Sequence, residues 1–345
     1  MKSFEEVFED KTKLGTKIKT NEYHESGAHL IIDQGQELIA GYTDLKQGLF
    51  EDVPAIIFGD HTRVVKYVEE PFFLGADGVK VLKSKLPDAN YKYLYYALKQ
   101  ARIPNTGYNR HFKWLREIQI KYPSSKEQMK VVEILDKVDN IISARQQEIQ
   151  KMDDLIKARF VELFGDPVTN SKGWQTKRFD SICENLDSRR KPITASERVA
   201  GDYPYYGASG IVDYVADYIF DEDILLVSED GANLLMRSTP IAFSVRGKVW
   251  VNNHAHALRF DDMGLQKYIE VFFSMIDISD QITGSAQPKL NQAKLNSMIF
   301  PIPNKELTDY FLQFIAQVDK SKVAIQKSLD ETQKLFDSLM QEYFG

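Results

Sequence analysis

The sequence predicts an α+β fold built by duplication: two similar globular heads joined by two long helices that pack as an antiparallel coiled coil with pseudo-two-fold symmetry. Three observations lead there. A stretch from the middle of the chain repeats at its end, each copy carries a helical apolar seam, and the short elements before each copy come in the same order.

When the chain is slid by 180 residues, residues 118–165 fall on residues 298–345 without a gap. Identical pairs are Pro123/Pro303, Val138/Val318, Asp139/Asp319, Ala144/Ala324, Gln146/Gln326, Leu155/Leu335, Glu162/Glu342, Phe164/Phe344 and Gly165/Gly345. Identity alone is modest; the apolar pattern decides. In the first copy a 3–4 spacing runs Leu135, Val138, Ile142, Arg145, Ile149, Met152, Ile156, Arg159, Leu163. The same slots in the second hold Ile315, Val318, Lys322, Ile325, Leu329, Thr332, Phe336, Leu339 and Tyr343. All but two slots in each copy are apolar, the mark of a coiled-coil seam. Pro123 and Pro303 precede the helices, where proline suits a helix start, and Gly165 followed by Asp166-Pro167 stops the first. About 37 residues at ~1.5 Å each make a rod of roughly 55 Å. Two such rods in one chain most simply bury their seams on each other, with Arg145 and Lys322 as polar intrusions that could set register. The alternative is a pair of amphipathic helices, each docked on its own head.

The heads, residues 1–117 and 168–297, are rich in short strand-like runs cut by Gly, Asp and Asn turns. HLIIDQGQELIAGYTD (29–44) parallels YPYYGASGIVDYVADY (203–218), and PAIIFGDHTRVVKYV (54–68) parallels DILLVSEDGANLL (223–235). FFLGADGVKVL (72–82) parallels VWVNNHAHALRF (249–260). NYKYLYYAL and QKYIEVFFSMI both read as helices, each followed by a Thr-Gly turn and a basic stretch, TGYNRHFKWL and TGSAQPKLNQAKL.

With 345 residues the chain suits two or three domains. No apolar run reaches the ~18 residues that span a bilayer, MKSFEEVFEDKTK is too charged for a signal peptide, and Cys183 is the single cysteine. These features predict a cytoplasmic protein with no membrane partner. The net charge of −6 argues against a strong solitary nucleic-acid binder. Charge is segregated along the chain, however: residues 213–230 carry only acids, and 237–260 carry only the bases Arg237, Arg246, Lys248 and Arg259. Segregation of this kind predicts basic faces on an acidic protein, unless the charges are merely solvated loops.

Enzymatic motifs are missing from the sequence. It holds no GxxxxGK[ST] phosphate loop, no glycine-rich cofactor loop after a strand, and no Asn-Pro-Pro-aromatic stretch for a flipped adenine. Asp223 and Glu229 resemble a nuclease pair without its following lysine, and Asp60-His61 has no Ser or Cys elbow. His254 and His256 alternate, but two ligands are too few for a metal, so a structural or hydrogen-bonding role is expected. The reading is of a non-catalytic chain without a metal.

On the phrases YPYYGASGIVDY, IIFGDHTR, GADGVKVL and VNNHAHALRF, the helix starts IQIKYPSSKEQ and MIFPIPNKEL, the turn SAQPKLNQAKL, and the FG that ends both helices, the chain resembles the specificity subunit of type I restriction–modification systems over essentially its full length. The resemblance implies target-recognition domains at 1–120 and 166–300 and helical spacers at 121–165 and 301–345. It implies that each domain reads one half of a split site in double-stranded DNA. The helices would fix the gap and seat two methyltransferase subunits, with restriction/translocase subunits joining outside. S-adenosylmethionine, ATP and magnesium would sit on those partners, and no cofactor on this chain. The first domain departs from the pattern, being shorter at its start and lacking the Gly173-Trp174 of the second.

Base reading needs paired donors and acceptors, Arg or Lys for guanine and Asn or Gln for adenine. Turn-placed candidates in the first head are Lys19, Tyr42, Arg63, Arg110 and Lys113. In the second they are Arg189, Arg190, Lys191, Tyr206, Asn233, Arg237, Lys248, Asn252, Asn253, Lys289 and Asn291. Arg110–Lys113, Arg189–Lys191 and Lys289–Asn291 are the favoured stretches. Two other readings compete: a coiled-coil scaffold whose heads bind protein or RNA, and a self-contained nuclease.

Overall fold

The long helices form where the seam places them. The computed structural model describes residues 1–345 except Ala76, Tyr108 and Ser285, which lie in three of the matched phrases. The first helix, Ser125–Phe164, is 40 residues long. It opens on a capping box in which the Glu127 amide donates to Ser124 Oγ (3.4 Å) and the Ser124 amide to the Glu127 carboxylate (3.0 Å). It closes at Gly165, whose φ of +82° is the left-handed cap conformation. Its last carbonyls are not left open: Trp174 Nε1 donates to Phe164 O (2.9 Å) and Lys172 Nζ to Glu162 O and Leu163 O. The Gly173-Trp174 pair is thus a lock on the helix end. The second helix, Lys305–Phe344, is also 40 residues long, and Asn304 caps it by accepting from the Leu307 amide (3.0 Å).

The chain divides into two compact units, Met1–Gln146 with Lys327–Gly345, and Gln147–Gln326. Each unit holds one head and opposite halves of the two helices. In the first, Leu135, Val138 and Ile142 bury against Phe336 and Met340, with Tyr96 of the head closing the cluster. In the second, Asp153 pairs with Lys322 at 2.5 Å, and Phe160 stands 5.8 Å from Phe311, centroid to centroid. Moving up the first helix from 153 to 160 means moving down the second from 322 to 311, so the paired halves run antiparallel. Every seam position from Leu135 to Leu163 and from Ile315 to Tyr343 is buried or half-buried.

Both heads are built alike. The first has a four-stranded antiparallel sheet ordered Phe8–Asp10, Val79–Ser84, Ala55–Gly59, Val65–Val68. Beside it runs a three-stranded sheet ordered Gly41–Thr43, His29–Ile32, Phe72–Leu74, with its last pair parallel. The second head repeats the first sheet with Glu184–Asn185, Ala255–Arg259, Ile224–Ser228, Ala242–Val245, and the second with Gly210–Val215, Ala200–Gly207, Lys248–Val251, to which Phe220–Asp221 adds a fourth strand. Its Ala200–Gly207 and Lys248–Val251 pair is again parallel. Central strands AIIFG and ILLVS are wholly buried, as apolar runs covered on both faces must be. One matched phrase diverges: after Ile224–Ser228 the chain makes a short helix, Asn233–Met236, and the strand equivalent to Val65–Val68 comes only at Ala242–Val245. A helix follows the strands in each head, Tyr91–Lys99 capped by Asn90 and Met263–Met275 capped by Asp262.

Candidate nucleic-acid interface

A strand that is buried throughout must release its chain at the sheet edge, and polar side chains first become affordable there. In each head the residue just past the central strand is an acid, Asp60 or Glu229. Both lie against the basic turn that precedes the next short helix.

In the first head the Asp60 carbonyl accepts from the His111 amide (2.7 Å), and its carboxylate accepts from the Phe112 amide (2.7 Å). His111 Nδ1 lies 3.1 Å from the same Asp60 carbonyl, and both residues are buried. Arg110 and Lys113 flank this anchor, exposed, with Lys113 over the Trp114 ring at 4.8 Å. Arg63 joins them from the neighbouring turn: its amide donates to Gly59 O and its guanidinium to Ile103 O. Lys19 and Tyr42 sit elsewhere, Lys19 exposed and Tyr42 on the edge strand Gly41–Thr43.

In the second head the anchor is charged. The Glu229 carbonyl accepts from the Leu290 amide (2.8 Å), while its carboxylate meets Arg190 Nη1 (2.7 Å) and Lys289 Nζ (2.9 Å). Arg190 also bonds Ala255 O (2.7 Å) and pairs with Asp187 (3.2 Å). His256, fully buried, lies between the Asp187 carboxylate (2.6 Å from Nδ1) and the Leu290 carbonyl (2.8 Å from Nε2). Burial would raise both carboxyls, yet the His256 bond holds Asp187 below its usual 3.8, and Arg190 with Lys289 hold Glu229 below its usual 4.5. Asp187, Glu229 and His256 bring ligand atoms within 4.8 Å of one another, a spacing a metal ion could use. Arg190 already contributes the cation there.

The remaining candidates of the second head scatter. Asn252 and Asn253 line a cleft of about 700 Å³ with Asn233, Ser209 and His254. Asn252 is buried and accepts from the His254 amide, and the Asn233 amide group is spent on Ser238 and Thr239. Asn253 is exposed, and its side chain has no hydrogen bond among the described residues. Lys191 is exposed beside the anchor, and its carbonyl accepts from Trp250 Nε1 (2.6 Å). Asn291 caps the helix Gln292–Ser297. Arg237 (φ +52°) gives its guanidinium to Phe273 O and Ile276 O, both at 3.0 Å, closing a helix end. Arg189 packs on Phe220 and pairs with Glu222, Lys248 lies between Tyr218 and Tyr203, and Tyr206 leans on Phe243.

Charge segregation along the chain does not survive folding. Antiparallel pairing sets the acidic run beside the basic one, giving Arg246–Asp223 (3.7 Å) and Arg259–Glu222 (3.6 Å). Arg198 likewise reaches Asp213 (3.2 Å). Of the four bases in residues 237–260, Arg246 and Arg259 are thus paired with acids, while Arg237 is taken up by carbonyls and Lys248 by tyrosine rings. From the sequence Asp60 and Glu229 are weighed only as catalytic residues and set aside, and Asp187 is passed over, although an acid directly after each buried central strand is a visible signal.

Duplicated heads of one topology, each with a turn pinned at the same strand end and each packed on halves of two long helices, define the class: a two-headed recognition module made by internal repetition. The family model for the type I restriction modification DNA specificity domain matches residues 1–151 and 171–335, and the chain belongs to that family. A Haemophilus influenzae protein described as a type I restriction enzyme specificity subunit is 33% identical over 127 residues, covering 37% of this chain and 32% of that relative. The matched stretch thus spans about a third of the relative's length. The S subunit of a type I restriction-modification system from M. genitalium has a similar fold, with a TM-score of 0.59 at 19% identity over 100% of this chain and 95% of the other. A chain described under complex assembly and conformational transition of the type I R-M system gives 0.52 at 14% identity, over 99% and 95%.

Proposed function

We propose that the chain is the DNA-recognition subunit of a type I restriction–modification complex, each head reading one half of a bipartite site. The observation that carries this reading is the duplication itself: one strand order occurs twice, with the exit of the central strand placed alike and furnished differently. Two heads of one shape with different side chains suit two different short sequences, and stiff helices suit a fixed gap where a Gly/Ser linker would not. On this reading 1–120 and 166–300 are the target-recognition domains, and 121–165 and 301–345 are the spacers that dock two methyltransferase subunits.

The chain itself is non-catalytic in this proposal. Methyl transfer with S-adenosylmethionine and cleavage with ATP and magnesium belong to the methyltransferase and restriction/translocase partners. Those partners also supply the phosphate neutralisation that a chain of net charge −6 cannot. No helix among the described residues is long and apolar enough to cross a membrane, and a cytoplasmic place beside the chromosome fits the reading. Mapping methylated bases in cells that express the chain with its methyltransferase partner tests it. A split motif with a constant gap is expected; a contiguous motif, or none, contradicts the proposal.

A further inference from the structure

We propose that Asp60 and Glu229 are positioning residues, each fixing the basic turn through which its own head meets DNA. The inference rests on the DNA-reading function above and adds the residues through which each head sets its half of the site.

Two unlike sequences arrive at the same contact. In both heads the acid follows a fully buried five-residue strand, AIIFG or ILLVS. In both, its carbonyl takes the amide of the buried residue in the basic turn, His111 at 2.7 Å and Leu290 at 2.8 Å. In both, its carboxylate then takes a second group from that turn: the Phe112 amide at 2.7 Å, or the Lys289 ammonium at 2.9 Å. Side-chain chemistry differs, yet the mechanical result is the same. Turns held only by solvent-exposed backbone bonds open easily, whereas these are tied to the most buried strand of each sheet.

A base edge is read by donors placed to within about half an ångström, so a turn must be fixed before its side chains discriminate. Arg110 and Lys113 are exposed on the first anchored turn and Lys289 is half-exposed on the second, with Lys191 exposed next to Arg190, which shares the Glu229 carboxylate. Glu229 does more than hold: by pairing Lys289 it spends part of that residue's charge on direction, which favours discrimination over bulk attraction to phosphate.

The test maps methylated motifs in cells carrying the full chain with its methyltransferase partner. Asp60→Ala is expected to degrade one half of the split motif, with about tenfold weaker methylation there, as loss of one good hydrogen bond implies. The other half stays intact. Asp60→Asn can still accept from the Phe112 amide and is expected to rescue that half. Glu229→Ala is expected to degrade the opposite half, and Lys289→Met, which opens the exposed end of the pair without touching the core, the same half as Glu229→Ala. Should the alanine variants fail to accumulate, the milder Asp60→Ser and Glu229→Gln, which leave Arg110 and Lys289 in place, decide for their own heads, an unchanged motif overturning the proposal. Lower total methylation with both halves intact, or equal damage to both, would assign these acids to folding alone. A wild-type chain leaving no split motif removes the underlying reading, and this proposal with it.

Discussion

The two heads solve one problem with different chemistry. At the exit of the central strand the first uses a carboxylate on a backbone amide, whereas the second uses a carboxylate on two cations with His256 and Asp187 behind it. The same contrast recurs where each head meets the helices. Gln128 of the first unit, fully buried, accepts from the Asn90 amide (3.1 Å) and donates to Pro123 O (3.0 Å). Its repeat partner, Thr308, turns its hydroxyl onto Lys305 O in its own helix. The second unit makes up the contact with a glycine: a Cβ on Gly264 would stand 2.8 Å from the Thr308 carbonyl carbon. Lys92, one residue past the first residue of its helix as Gly264 is of its own, reaches Asp136 at 2.8 Å instead. Duplication has kept backbone geometry and let the fastenings drift.

The largest test of this comparison is Phe160→Ala. Phe160 is fully buried, stacked on Tyr268 at 5.1 Å and edge-on to Phe164, so truncation is expected to cost ~3–5 kcal/mol in denaturant unfolding of the second unit. Ile142→Ala in the seam of the first unit removes a smaller side chain and should cost less, about 2–4 kcal/mol. Gly264→Val comes next: the crowded crossing predicts a loss of about 1–3 kcal/mol by the same measurement, while Lys92→Ala at the matching place costs under about 1 kcal/mol. Gln128→Ala should cost about 1–3 kcal/mol, because it removes a fully buried side chain's two bonds and leaves the half-buried Asn90 amide without its partner; Thr308→Val should cost less.

Acid separates the anchors further. Asp187 and Glu229 have folded pKa values below their ordinary 3.8 and 4.5, so their stabilisation is complete above those values and fades as pH falls through the lower folded ones. Trp250, bonded to the Lys191 carbonyl beside Arg190, reports the change. In a chain carrying both Trp114→Phe and Trp174→Phe its fluorescence should hold steady down to about pH 4 and shift only below it; a transition near pH 6 would contradict the pairing. The smallest expected effect is at Cys183, whose thiol burial pushes up to about 12. Alkylation at pH 8 should be slow in the folded chain and fast after unfolding.

Much of this architecture was legible in the sequence, because periodicity and repetition are local signals. The matched phrases 29–44 with 203–218 and 72–82 with 249–260 became topologically equivalent strands. The seam was legible as well, but it missed Phe160, Phe164, Phe311 and Met340. A two-slot heptad describes helix on helix, whereas helices that also carry a head need a wider apolar stripe. The anchors were hidden for a different reason. Asp60 meets His111 across 51 residues and Asp187 meets His256 across 69, distances that only the sheet pairing closes. Charge segregation misled for the same cause, since strand pairing puts Asp223 beside Arg246.

One measurement bears most directly on the claim that two heads read separate halves at a set distance. Four residues of helix-forming sequence inserted into both long helices would add about 6 Å to each. Methylation mapping should then return both half-sequences unaltered with the interval between them widened by about one to two base pairs. An unaltered interval, or half-sequences that change with the insertion, would contradict the account.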